Sequence, residues 1–143
     1  MAKTKIQHTI ISFGIYDKWD QSDKELPKVI EFTLNVSAKI DIEFGFIINI
    51  KKGKGKKITY CIYHPNIPDD NGEVMPPFTG DVYIKDNNWH FYLGDTLWEP
   101  LENKIGDWRM TIECDEKIIA DKTFFINEPN EILDAKFWKR AGY

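Results

Sequence analysis

At 143 residues, 42% of them apolar and 14% aromatic, the chain is long enough for one domain with a continuous core, and too apolar for wholesale disorder. A formal net charge of −4 speaks against a dedicated nucleic-acid binder, and no run of about 18 apolar residues exists to span a membrane. Met1-Ala2-Lys3-Thr4-Lys5-Ile6 lacks the apolar stretch of a signal peptide, so the expectation is a cytoplasmic protein with Cys61 and Cys114 reduced.

The first strand is expected over Lys5–Tyr16, where Ile11, Phe13 and Ile15 share one parity and Ile6, His8 and Ile10 the other. That change of phase near Thr9-Ile10 predicts a bulge. Asp17–Pro27 is polar and reads as a loop. From Ile30 to Ile50 every even residue is apolar, whereas among the odd ones only Ile47 is. Successive side chains of a strand point to opposite faces, so this run describes strands with one buried and one wet face. It is too long for one strand and is expected to break at Ser37-Ala38, with an irregularity at Gly45. Lys51-Lys52-Gly53-Lys54-Gly55-Lys56-Lys57 then reads as a hairpin tip, leading into a strand over Ile58–His64.

Pro65–Gly80 is irregular, with four prolines and the turn Asp69-Asp70-Asn71-Gly72. Strands over Asp81–Lys85 and Trp89–Leu93 flank Asp86-Asn87-Asn88, a second hairpin signal. Gly94–Lys104 is a crossing segment. In the closing hairpin Trp108, Met110, Ile112 and Cys114 face inward, Asp115-Glu116 turn the chain, and Ile118, Ala120, Phe124 and Ile126 return with Lys122 out of pattern. About seven to nine short strands without amphipathic helices between them describe an all-β, immunoglobulin-like antiparallel sandwich. It occupies residues 1–127, and 128–143 form a tail in which Leu133 and Phe137 suit a short helix.

Several fragments together resemble the bacterial domain-of-unknown-function family 3859. They are Phe13-Gly14-Ile15-Tyr16, Phe44-Gly45-Phe46, His64-Pro65, Pro76-Pro77-Phe78-Thr79-Gly80 and Gly106-Asp107-Trp108 leading to Lys122-Thr123-Phe124-Phe125-Ile126. The resemblance implies an immunoglobulin-like sandwich in a bacterial protein and carries over no catalytic residue. The lysine-rich tip and the Trp138 tail stand outside it.

No chemistry announces itself. His8, His64 and His90 have no metal-pair spacing, and neither a zinc motif nor a nucleophile elbow occurs. Cys61 and His64, three apart on a strand, point to opposite faces, which leaves Cys61 as a buried, inert thiol. Asp69, Asp70, Asn71 and Glu73 gather oxygens, yet not at the spacing of a calcium loop, and Asx-rich turns need no ion. His64, beside Pro65, is a binding candidate or simply a hydrogen-bonded strand end. Lys54 and Lys56 could grip an acidic partner, or only keep the tip in water. Trp89 and Trp98 are candidate stacking rings beside Tyr83, Phe91 and Tyr92, and Trp108 is expected in the core. Neither catalytic residue, metal nor cofactor is expected.

The reading is a non-enzymatic module that binds another protein, with no nucleic-acid or membrane partner and with a homodimer through a sheet edge as a further expectation. The alternatives are a small-molecule or carbohydrate-binding sandwich, or an immunity-type partner whose acidic surface covers a basic site.

Overall fold

A computed structural model of the chain describes residues 5–17 and 25–129. Among them are nine strands: β1 (Gln7–Tyr16), β2 (Val29–Glu31), β3 (Asn35–Ser37), β4 (Glu43–Lys51), β5 (Lys57–Tyr63), β6 (Phe78–Tyr83), β7 (Asn88–Thr96), β8 (Gly106–Cys114) and β9 (Lys117–Asn127). A 3-10 turn over Glu102–Lys104 precedes β8. The strands form a four-stranded sheet in the order β2-β1-β4-β7 and a five-stranded sheet in the order β3-β9-β8-β5-β6. Every pairing is antiparallel except β3 with β9. No described helix is long and apolar enough to cross a membrane. The tail helix expected after Pro129 lies outside the described residues.

The core lies between the sheets. Phe44, Phe46, Ile48 and Ile50 of β4 project toward Trp108, Met110, Ile112 and Cys114 of β8, with Ile58, Ile62, Phe124 and Ile126 filling the same layer. The Phe44 ring meets Trp108 and Phe124 edge to face, with centroids 5.4 and 5.6 Å apart. Each such side chain, fully buried, contributes about 1.5–3 kcal/mol through removal of apolar surface from water. Trp108 is in the core as its parity predicts, and both cysteines are free thiols.

The alternating run divides more finely than its sequence suggests. It breaks after Ser37, and again between Glu31 and Asn35, where the chain leaves one sheet for the other. At these two turns the parity fails: Phe32 is 60% and Ile40 49% exposed, and Asp41 takes φ 68°. The bulge in β1 falls between Ile10 and Ser12, close to its expected place. Gly45 is not a bulge, because the ladder runs through it in register, Gly14 opposite Gly45 and Gly45 opposite Gly94.

The two loops read as hairpin tips are crossovers. β4 and β5 lie in different sheets, as do β6 and β7, so the lysine loop and Asp86-Asn87 bridge the layers at one end of the sandwich. Local turn chemistry looks alike in both cases; only the tertiary pairing separates them. β8 and β9 do form a hairpin, with positive φ at Asp115 and Glu116 as a tight primed turn demands. Cys61 is half-buried on the outer face of the five-stranded sheet, whereas a core position was expected for it. Its parity sets it with Thr59 and Tyr63, away from Ile58 and Ile62.

Candidate functional site

The register sends the five candidate residues to opposite ends. Lys54 and Lys56 lie at the end formed by the β4–β5 and β6–β7 crossovers and the β8–β9 turn. There Lys56 pairs with Asp115 at 2.5 Å, Lys57 approaches Asp81 at 3.9 Å, and the Lys54 amide donates to Asn87. Two of the loop's lysines, Lys56 and Lys57, thus face carboxylates of the protein itself. Trp89, opposite Ile50, is only 9% exposed, and its ring stacks on Phe91 with centroids 5.1 Å apart. As an inward residue of β7 it packs the core and offers no stacking platform, which corrects its candidacy.

His64 and Trp98 meet at the other end. His64 follows β5, Phe78 opens β6, Trp98 follows β7 and Trp108 lies near the start of β8, so four chain segments deliver aromatic rings to one place. His64 lies 4.5 Å from Phe78 and 6.0 Å from Trp108, centroid to centroid. Trp98 lies 6.5 Å from Phe78 and meets Trp108 edge to face at 6.3 Å. The Trp108 indole N–H donates to the Lys104 carbonyl at 2.8 Å, which ties the 3-10 turn to the core.

Lys104 is the residue that sequence reasoning missed. It is 1% exposed, its Nζ donates to the Pro100 carbonyl at 2.9 Å, and the ammonium sits 4.3 Å from the centre of the Trp98 ring. Burial pushes its pKa below the usual lysine value, opposed by the charge of Glu102. Such a contact is a cation–π interaction that holds one side of the indole. The ring itself remains 36% exposed. Beside it Glu99, Pro100, Leu101 and Glu102 line a depression of about 450 Å³. The only sequence signal for Lys104 was its place four residues before a core tryptophan.

Asp95, on the inner face of β7, completes this end. Burial pushes its carboxyl up to about 6, against the stabilising influence of the Thr96 amide and the His64 charge. The loop from Pro65 to Pro77 is a small excursion of its own: the Ile67 carbonyl accepts from Met75, the Asp69 carbonyl from Gly72 and the Glu73 carbonyl from Asp69. Asp69 Oδ1 accepts from the Asn71 and Glu73 amides, so its oxygens serve an Asx turn. Among the described residues no group of three metal-ligating side chains converges.

A second buried polar group lies on the outer face of the four-stranded sheet. Glu43 accepts from the Tyr92 hydroxyl at 2.5 Å and from Thr96 at 2.6 Å, and Tyr16 shares a hydrogen bond with Ser12 at 2.8 Å. Burial raises the pKa of Glu43 and carries that of Tyr16 to about 12. These side chains satisfy one another, which is a structural role.

The family model of a domain of unknown function, DUF3859, matches residues 4–126. The chain belongs to the DUF3859 family. An immunoglobulin-like protein of Pseudomonas aeruginosa, solved by crystallography, is similar in fold: TM-score 0.69 at 18% identity, over 89% of this chain and all of that one. No curated protein sequence matches the chain. The fragments that resemble DUF3859 converge on two places in this fold. Gly14 and Gly45 are neighbours in one glycine row, while His64-Pro65, Pro76-Pro77-Phe78 and Gly106-Asp107-Trp108 meet at the Trp98 end. Gly106 takes φ 134° there, and a Cβ on it would come within 3.0 Å of the Pro65 ring.

Proposed function

We propose that this DUF3859 chain is a non-enzymatic interaction module that engages another protein through its Trp98 end. The observation carrying this reading is a half-exposed indole, held by Lys104 and Trp108 and standing beside the Glu99–Glu102 depression. An aromatic ring fixed by its own protein has little conformational entropy left to lose on binding, which is the character of an interface anchor. Glu99 and Glu102 favour a basic segment as its counterpart, since complementary charge steers encounter and sets specificity. At the lysine end, Lys56 and Lys57 already face Asp115 and Asp81, and among the described residues no aromatic ring is held there in the same way.

The test is photo-crosslinking in the native host with a benzophenone side chain at position 98, and at Tyr83 as a control. The reading expects a discrete adduct at position 98 that is weakened by the double change Glu99→Lys, Glu102→Lys. Absence of the adduct, or an equal yield at Tyr83, would count against it. So would turnover on an ester, phosphate or glycoside panel that a single substitution abolishes. The exposed Trp98 ring also supports a second reading, stacking on a sugar face, which predicts saturable tryptophan quenching by saccharides that Trp98→Ala removes.

A further inference from the structure

His64 bridges the neck of the excursion between Pro65 and Pro77. Its Nδ1 lies 2.6 Å from the Pro65 carbonyl oxygen and its Nε2 lies 2.9 Å from that of Pro76. Both partners are acceptors and nothing else, so each ring nitrogen has to donate. A neutral imidazole carries one N–H; an imidazolium carries two. We propose that His64 is a proton-operated clasp: the charged ring ties both ends of the neck, and loss of the proton releases one of them.

The surroundings suit a cation. The ring faces Phe78 and Trp108, whose π faces attract positive charge, and Asp95 on β7 interacts with it electrostatically. Several charged groups of the packed elements have partners of their own. Lys104 is bonded to Pro100 and lies against Trp98, Arg109 of β8 forms a two-point pair with Asp121, and Asp81 of β6 accepts from Thr59. Glu99 and Glu102 line the depression beside Trp98. When the ring is neutral, one nitrogen directs a lone pair at a carbonyl oxygen and that contact turns repulsive. The Pro65 oxygen also accepts from the Ile67 amide at 2.7 Å, and the Ile67 oxygen from Met75 at 2.8 Å, so movement of the neck reaches both bonds. Loss of a single ring proton is therefore enough to free one end of the neck.

Phe78 touches both His64 and Trp98, so the clasp also bears on the face described above; that consequence, though not the clasp, rests on the proposed interaction. The experiment needs no partner, so the two ideas fail separately. In the isotopically labelled full chain, the His64 ring signals and the protection factors of the Ile67 and Met75 amides are followed by NMR from acid to mildly alkaline pH. Both ring nitrogens should be protonated in the protected state. Protection should fall about tenfold, the effect of one ordinary hydrogen bond, with the midpoint of the His64 ring. The His8 and His90 ring signals serve as internal controls, and in His64→Phe both amides should show low protection at every pH. Protection that stays flat while the ring titrates would overturn the clasp in the wild-type chain alone, and so would a pH dependence that survives in His64→Phe.

Discussion

The Tyr92 phenol passes over the bare Cα of Gly94 and delivers its hydroxyl to the Glu43 carboxylate on the neighbouring strand, 2.5 Å away. That path exists because Gly94 has no side chain: a Cβ there would lie 2.1 Å from the Tyr92 oxygen and 2.4 Å from the Phe44 carbonyl. The second of these is backbone and cannot step aside. Gly94→Ala is therefore expected to destabilise the fold by about 2–4 kcal/mol in urea unfolding, an overpacking cost of the usual size or somewhat above it. Tyr92→Phe, which removes only the hydroxyl from a buried carboxylate, should cost less, about 1–2 kcal/mol.

Asp95 sets a pH dependence of definite sign. With its folded value at about 6, the folded chain keeps a proton that the unfolded chain has already released between the ordinary aspartate value and that point. Stability from this group therefore falls as pH rises through the window, and the penalty is complete above it. Asp95→Asn retains an oxygen for the Thr96 amide and should stabilise the protein at pH 7 by about 2 kcal/mol, with no gain near pH 4. Urea midpoints of the two chains across that range check the sign. A loss at pH 7 would show the carboxylate to be favourable where it stands.

Lys54→Ala and Lys56→Ala should each leave the unfolding midpoint within experimental scatter. Exposed pairs such as Lys56–Asp115 are screened by salt and give up side-chain freedom to form. Thermal melts at low and high ionic strength would reveal any hidden contribution as a difference that salt removes.

The two tryptophans that touch at 6.3 Å should behave very differently. Trp108→Ala opens a cavity under Phe44 and leaves the Lys104 carbonyl without its donor, and is expected to cost about 3–5 kcal/mol. Trp98→Ala removes a half-exposed ring and lets water reach Lys104, so its loss should be far smaller. Calorimetry on the two variants separates a core ring from a surface one.

The sandwich and its core were legible because period-two alternation is a local property. Phe44 to Ile50, with Ile47 as its one exception, and Trp108 to Cys114 carry it, and the core is built from them. Which strands pair was not legible, since the turns at Lys51–Lys57 and Asp86–Asn88 have the same composition whether the chain returns within a sheet or steps to the other. Of the binding candidates, His64 and Trp98 share one end although 34 positions in the sequence separate them, and nothing local indicates that meeting. Trp89 looked like a platform because its strand is apolar on both parities. The register sends Trp89 inward and Tyr92 outward, where Tyr92 covers Gly94. Lys104 carries no sequence signal beyond its place four residues before Trp108, and only the fold places its charge under an indole.

The first and last strands of the sandwich enter and leave at opposite ends, Gln7 beside Lys51 and Asn127 beside Ser37. A pull applied between those two points runs along the strands, so the β1–β4 and β8–β9 ladders are strained lengthwise, with many bonds sharing the load at once and none peeling in turn. Mechanical rupture of such a body is governed by its unfolding rate, and an attachment through these two strands would make the domain a stiff link between whatever holds it on either side.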